Sequence, residues 1–191
     1  MRKTRLVVIL MLAALATGCG PLASLYPLWD SDHVVAEPKL IGTWISEDDE
    51  VLKLAAAGEL KYVVTYASSE GVSRYETRVV HLDGQLYLDM CPDEESLEVL
   101  LAAQAYLPLV PTHFFARVSV QGESLNIALL DEEIVEEMVD HGEVDLPLLR
   151  HEGGLLLAAE TGRIQELLVT FADDEQFWEE GTQFRRQRSP Q

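Results

Sequence analysis

Basic residues are scarce in this sequence. Lysine and arginine together number 14 against 33 aspartates and glutamates, which gives a formal net charge of −19. This balance argues against nucleic acid as a partner, because binding to phosphates depends on basic side chains. It also disfavours electrostatic attraction to anionic lipid headgroups. Disorder is not expected despite the charge, since 48% of the residues are apolar and they occur throughout the chain.

The sequence motifs of common catalytic and cofactor sites are also missing. The chain has no G-x-S-x-G element, no glycine-rich phosphate loop and no S-x-x-K element. None of the five histidines has the i, i+4 spacing with a glutamate that makes a zinc site on a helix. The acidic runs 47–50 and 132–140 lack the ligand spacing of an EF-hand, and we interpret them as solvated surfaces. We therefore expect a non-enzymatic protein with no metal and no organic cofactor.

The N-terminal apolar segment is too short to cross a bilayer as a helix. Residues 6–16 are all apolar; Arg2, Lys3 and Arg5 precede them, and the small residues Thr17 and Gly18 follow. A cationic start, an apolar middle and a small-residue end are the three parts of a secretory signal. The pattern predicts export from the cytoplasm.

The end of this segment, Leu15-Ala16-Thr17-Gly18-Cys19, resembles the bacterial lipobox. It departs from the commonest pattern only at Ala16, where leucine is most frequent. The resemblance implies cleavage before Cys19 and acylation of that cysteine, so that the protein is anchored by lipid in the cell envelope. Two or three acyl chains make such attachment stable. Gly20 is not the aspartate that retains some lipoproteins at the inner membrane, which favours the periplasmic face of the outer membrane.

Only one other cysteine, Cys91, is present. If Cys19 is acylated, Cys91 has no partner for an internal disulfide. A buried, inert thiol is the simplest interpretation, since no histidine lies near it in sequence to activate it. A reactive or intermolecular thiol is the alternative.

The chain divides into three parts by composition. Residues 1–18 form the predicted signal, residues 19–38 a lipidated tether punctuated by prolines, and residues 39–191 a single β-rich domain. Removal of the signal leaves 173 residues with a net charge near −22. The tether is apolar enough that we expect part of it to pack on the domain.

Period-two alternation and turn residues predict a series of short strands. They cover 40–46, 51–56, 60–66, 72–81, 85–90, 113–120, 124–130, 153–160 and 181–187. Helices are predicted over 93–106, over 131–141 with Asp131 as its cap, and over 161–172 with Thr161 as its cap. The fold class is therefore α+β: mainly an antiparallel β meander, as a partial barrel or strongly curved sheet, with two or three packed helices.

Gly42-Thr43-Trp44 on the first long strand resembles the G-x-W element of lipocalins. The resemblance covers roughly residues 38–90. It implies that Trp44 closes one end of a barrel, that Arg185 or Arg186 on the last strand packs on it, and that a calyx accommodates an apolar ligand. A solid-cored sheet with a structural tryptophan is the alternative. In that case the domain would serve as an interaction module for another envelope protein.

Overall fold

A computed structural model describes residues 22–93, 111–151 and 154–187. Its strands are β1 (Ala23–Ser24), β2 (Val34–Val35), β3 (Gly42–Ser46), β4 (Val51–Ala56), β5 (Tyr62–Ser68), β6 (Gly71–Leu82), β7 (Gln85–Pro92), β8 (His113–Gln121), β9 (Ser124–Leu129), β10 (Leu148–His151), β11 (Gly154–Leu157) and β12 (Thr182–Arg186). The α-helices are α1 (Glu132–Asp140) and α2 (Thr161–Thr170), and the 3-10 turns are Pro38–Leu40 and Glu175–Phe177. No described helix has both the length and the apolar character needed to cross a membrane.

Eight of the strands form a closed antiparallel barrel. From β3 to β9 each strand pairs with the next along the chain, and β12 pairs with both β3 and β9. Phe184 of β12 illustrates the closure, because it lies opposite Ser46 on one side and opposite Leu125 on the other. The sequence predicted an antiparallel meander with packed helices, which is correct. It predicted a partial barrel or strongly curved sheet, whereas the barrel is closed. The closing strand follows a long insertion, so its pairing could not be read from local pattern.

Alternate side chains of the barrel strands fill the interior, as the pleat of a β-strand requires. Val79 of β6 and Leu88 and Met90 of β7 belong to this core. The buried interior residues are Leu40, Trp44, Leu52, Leu54, Tyr62, Val64, Val79, Leu88, Met90, Ala116, Val118, Leu125 and Phe184. Burying each large side chain contributes about 1.5–3 kcal/mol, so this layer is a main source of stability.

A second apolar core lies on the outside of the barrel. The segment between β9 and β12 carries both α-helices, and it packs with residues 22–29 against the outer face of β6 to β9. The outer-face residues of the barrel are Val80, Leu82, Tyr87, Phe115 and Ala128. The residues that cover them include Leu22, Leu28, Val135, Met138, Leu157, Ile164, Leu168, Phe177 and Trp178. This part of the sheet is therefore buried on both faces.

The helix starts differ in how well the sequence predicted them. Asp131 caps α1 as predicted, since its carboxylate accepts a hydrogen bond from the Ile134 amide at 3.1 Å. The prediction of Thr161 as the cap of α2 was wrong: Glu160 occupies the cap position and Thr161 is the first helical residue. The Thr161 hydroxyl instead donates to the carbonyl oxygen of Pro27 at 2.8 Å, which ties the helix to the N-terminal segment.

Three short strands were not predicted. β1 pairs with β8 and β11, β2 pairs with β6, and β10 pairs with β11. Two to four residues are too few to show a period-two pattern. The strand predicted over 153–160 is present only as Gly154–Leu157. Beyond Asp93, the helix predicted over 93–106 lies outside the described residues.

Residues 22–38, the described part of the predicted tether, lie on the barrel. Asp89 on the outer face of β7 holds this segment in place. The Oδ2 atom of Asp89 accepts hydrogen bonds from the amides of Leu28 at 2.6 Å and Trp29 at 3.3 Å. Its Oδ1 atom lies 2.6 Å from Nδ1 of His113. Only 2% of Asp89 is exposed, and a carboxylate buried this deeply is tolerated because it has these partners.

Replacing Asp89 with alanine should lower the free energy of unfolding by about 3 kcal/mol or more, because buried donors are left without an acceptor. Asp89→Asn keeps one acceptor oxygen and should lose less. Asp48→Ala, at an exposed turn, serves as the control. Urea unfolding followed by tryptophan fluorescence measures the differences. A loss below about 1 kcal/mol in Asp89→Ala would show that the segment does not depend on this carboxylate.

Candidate functional site

The interior of the barrel is organised differently at its two ends. Neighbouring strands are antiparallel, so the start of β3 lies beside the ends of β4 and β12. Trp44 fills this first end. The opposite end, where β4 begins and β5 ends, contains a pocket. We call these the closed end and the pocket end.

Trp44 is fully buried at the closed end. Its indole Nε1 donates a hydrogen bond to the carbonyl oxygen of Leu40 at 2.9 Å. The guanidinium carbon of Arg186 lies 4.0 Å from the centroid of the Trp44 ring, within the range of a cation–π interaction. Arg186 also donates to the carbonyl oxygens of Ile41 at 2.7 Å and Lys39 at 2.6 Å. These bonds hold the 3-10 turn Pro38–Leu40, with Leu40 fully buried, across this end of the barrel.

Gly42 is required by the same contact. Its φ angle is +152°, and a Cβ atom on it would lie 2.5 Å from Nη1 of Arg186. A side chain there would displace the guanidinium, and the positive φ angle would remain strained even if the guanidinium moved. Gly42 therefore gives the guanidinium access to the face of Trp44 and also accommodates a backbone conformation that other residues rarely adopt.

Arg185 takes no part in this contact. The sequence left Arg185 and Arg186 as alternatives for packing on Trp44. Successive residues of a strand point to opposite faces. Phe184 is buried in the barrel interior and Arg186 lies at its end, so Arg185 faces outward and is exposed.

The pocket end contains a cavity of about 290 Å³. Its lining residues are Glu50, Leu52, Val64, Tyr66, Tyr75, Leu88, Met90, Phe114, Ile127, Leu129, Glu179, Glu180, Thr182 and Phe184. Most of these side chains are aliphatic or aromatic. The volume is close to the lower limit of typical ligand pockets, about 300 Å³. An apolar cavity of about 150 Å³ holds benzene, so this one accommodates a molecule on the order of a dozen heavy atoms.

Acidic groups line the pocket along with the apolar ones. The hydroxyl of Tyr66 donates to Oε1 of Glu50 at 2.5 Å, and burial together with Glu50 raises the pKa of Tyr66 to about 12. Burial raises the pKa of Glu179, and the nearby charges of Asp131 and Glu132 raise it further. None of the described lining residues is basic. The electrostatic potential at this end is therefore negative.

Thr77 places a polar atom inside the barrel. It is 1% exposed, and its Oγ1 has no hydrogen-bond partner among the described residues. It follows Tyr75 on the interior face of β6 and lies directly opposite Met90 of β7, and both of these neighbours line the pocket. Leaving a buried hydroxyl without a hydrogen-bond partner costs about 1–3 kcal/mol, a cost that the apolar side chains of the core do not incur.

Cys91 lies outside the barrel, in a groove of about 330 Å³ that also contains Asp89 and His113. It forms no disulfide within the described residues. Burial raises the pKa of its thiol, and the negative charges of Asp89 and Glu76 raise it further. A thiol disfavoured from ionising is a weaker nucleophile.

Sequence reasoning identified Trp44 and left Arg185 and Arg186 as alternatives, but it missed Glu50, Glu179 and Glu180. Alternation predicts strands, but it does not show where interior side chains stop short of filling the barrel. Cys19, the predicted lipidation site, lies outside the described residues. Those residues also contain no group of three or more His, Cys, Asp or Glu side chains placed to hold a metal ion.

Comparison with known proteins adds no relative. No protein-family model matches the sequence, and no curated protein and no solved structure matches the chain.

We predict that the contributions of Gly42 and Arg186 to stability are coupled. Arg186→Ala and Gly42→Ala should each lower the free energy of unfolding by about 1–3 kcal/mol, because each removes or strains the guanidinium contact. Arg185→Ala, the outward-facing neighbour, should change it by less than about 0.5 kcal/mol. The double variant Gly42→Ala/Arg186→Ala should lose clearly less than the sum of the single losses, since both act on one contact. Additive losses in denaturant unfolding would contradict this account of Gly42.

Proposed function

We propose that this protein is a non-enzymatic, lipid-anchored module of the bacterial cell envelope that binds an apolar small molecule inside its barrel. The observation that carries the proposal is the apolar cavity of about 290 Å³ at the pocket end. A barrel of about eight strands has an interior just wide enough to be filled by side chains or to hold one small ligand. Here the closed end is filled and the pocket end is not.

Three further features support a lipocalin-like assignment. The G-x-W element begins the first barrel strand, Arg186 lies over Trp44, and the eight-stranded barrel is antiparallel and closed. One feature differs from a simple meander, since residues 130–181 with both α-helices stand between β9 and β12. Their apolar side chains pack on the outside of the barrel, so they leave its interior free.

The surface offers less support for the alternative, a protein-interaction module with a solid core. The exposed large apolar residues among those described are Tyr26, Ile41, Val72, Leu149 and Val169. They belong to five different segments of the chain. Exposed apolar side chains are normal on soluble surfaces, so their presence alone does not indicate a binding patch, which requires a contiguous area.

The proposed address follows from the signal, the lipobox resemblance and Gly20. It places Cys19 in the outer membrane at its periplasmic face. Leu22, only three residues further along the chain, is already buried against the barrel. Three residues span at most about 11 Å, so a lipid on Cys19 would hold the barrel close to the membrane surface.

Ligand binding is tested with the neutral apolar fluorophore N-phenyl-1-naphthylamine on residues 20–191. Its fluorescence should rise on binding, and native mass spectrometry should show one added molecule. Val64→Phe fills the pocket from β5 and should weaken binding at least about tenfold, because the added ring occupies the volume that the probe needs. Val63→Phe, on the outer face of the same strand, is the matched control.

Circular dichroism verifies that the variants are folded. If Val64→Phe does not fold, Leu129→Trp fills the pocket from β9 instead. No probe uptake by the unmodified protein, or equal uptake by a folded pocket-filled variant, would overturn the proposal and favour the interaction module.

Lipid anchoring is tested in cells with the full-length chain. Cys19→Ala should abolish incorporation of labelled fatty acid and release the protein from the membrane fraction, because no acyl chains remain to hold it. Cys91→Ala, which removes the other cysteine, should leave both unchanged. Membrane association that persists in Cys19→Ala would show that the protein is held by something other than this lipid.

A further inference from the structure

We infer that the pocket selects a cationic amphiphile, a molecule with an apolar body and a positively charged head, over neutral or anionic molecules of the same size. The inference rests on the proposed function and specifies the chemistry of the ligand. It is carried by the arrangement of carboxylates around an otherwise apolar cavity.

The described charged side chains that line the pocket are all acidic. Glu50, Glu179 and Glu180 are the charged members of its described lining. Glu50 is bonded to the hydroxyl of Tyr66, which is neutral. The side chains of Glu179 and Glu180 have no hydrogen bond or ion pair with any described residue, although elsewhere described arginines and lysines do pair with acids. The pocket therefore presents negative charge without an internal counterion.

Backbone hydrogen bonds fix the position of Glu179. The residue follows Trp178, which forms an isolated bridge with Leu130, and its amide donates to the carbonyl oxygen of Leu129 at 2.9 Å. These bonds fix the backbone of Glu179 at the end of β9, beside the pocket. Asp131 and Glu132 lie near enough to add negative charge at Glu179. A positive ligand head would relieve this repulsion, whereas a carboxylate head would increase it.

Electrostatic attraction to these carboxylates is strong enough to change the affinity for a charged ligand. The attraction between two unit charges about 4 Å apart corresponds to about fivefold in affinity in bulk water and to several hundredfold near a protein surface. The lower figure alone changes affinity severalfold for each pair. Reversing the sign of the ligand charge doubles the difference, so a preference of at least about tenfold between matched cation and anion is expected.

A polar group also lies near the pocket without lining it. Thr77 is 1% exposed, and its Oγ1 has no hydrogen-bond partner among the described residues. Its neighbours Tyr75 and Met90 line the pocket, whereas Thr77 itself does not.

The experiment compares octylammonium, octanol and octanoate by isothermal titration calorimetry on residues 20–191. The three molecules share one tail and differ in head charge. Octylammonium should bind at least about tenfold more tightly than octanoate, with octanol between them, and the preference should shrink as salt is raised.

Glu179→Gln/Glu180→Gln should reduce that preference to about threefold or less while octanol binding stays unchanged. Glu59→Gln/Glu123→Gln makes the same change in net charge at exposed turns of the closed end, and it should leave the preference intact. A preference lost equally in both double variants would assign it to overall charge and overturn the inference.

The outcomes separate the inference from the proposed function. If octanol binds but octylammonium binds no more tightly than octanoate, the pocket binds apolar ligands and the inference is wrong. If none of the three binds and the neutral fluorophore is also not taken up, the proposed function itself is wrong. Octylammonium preference together with its loss in Glu179→Gln/Glu180→Gln supports both.

Discussion

The pairing of β12 with both β3 and β9 is the constraint on which the rest of the structure depends. Without it the sheet would present two edges with unpaired backbone groups and would be open to solvent along its apolar face. The contact between Arg186 and Trp44 lies on this seam, since the two residues are direct partners in the β12–β3 register. Closure of the barrel and closure of one of its ends are thus achieved by the same short strand.

This arrangement divides stability and binding between different parts of the molecule. The closed end and the outer core hold the largest fully buried side chains, Trp44, Tyr87 and Phe177 among them. On the outside, both helices and the N-terminal segment brace the strands, and Asp89 fixes that segment through two hydrogen bonds, from the amides of Leu28 and Trp29. The pocket end is consequently free to keep a cavity and acidic groups that would be costly in a filled core.

Much of the fold could be predicted from the sequence because it depends on local patterns of residues. Period-two alternation and turn residues predicted β4, β6, β7 and β8 with nearly correct bounds. The Asp131 cap was likewise a local signal. Only part of the candidate site could be predicted. The G-x-W resemblance implied Trp44 and an arginine on the final strand. No sequence pattern pointed to Glu50, Glu179 and Glu180. Glu179 reaches the pocket only because the chain returns to the barrel after two helices.

By itself, the sequence determined the acidic balance, the alternation that makes antiparallel strands, the helix that begins after Asp131, and the glycine that precedes Trp44. These properties reside in residue identities and short spacings. The tertiary structure alone decided that the sheet closes, that Arg186 rather than Arg185 covers Trp44, that Thr161 bonds to Pro27 instead of capping its helix, and that a cavity remains at one end. Each of these depends on contacts between residues far apart in the chain, and a one-residue change of register would reverse which side chains face the interior.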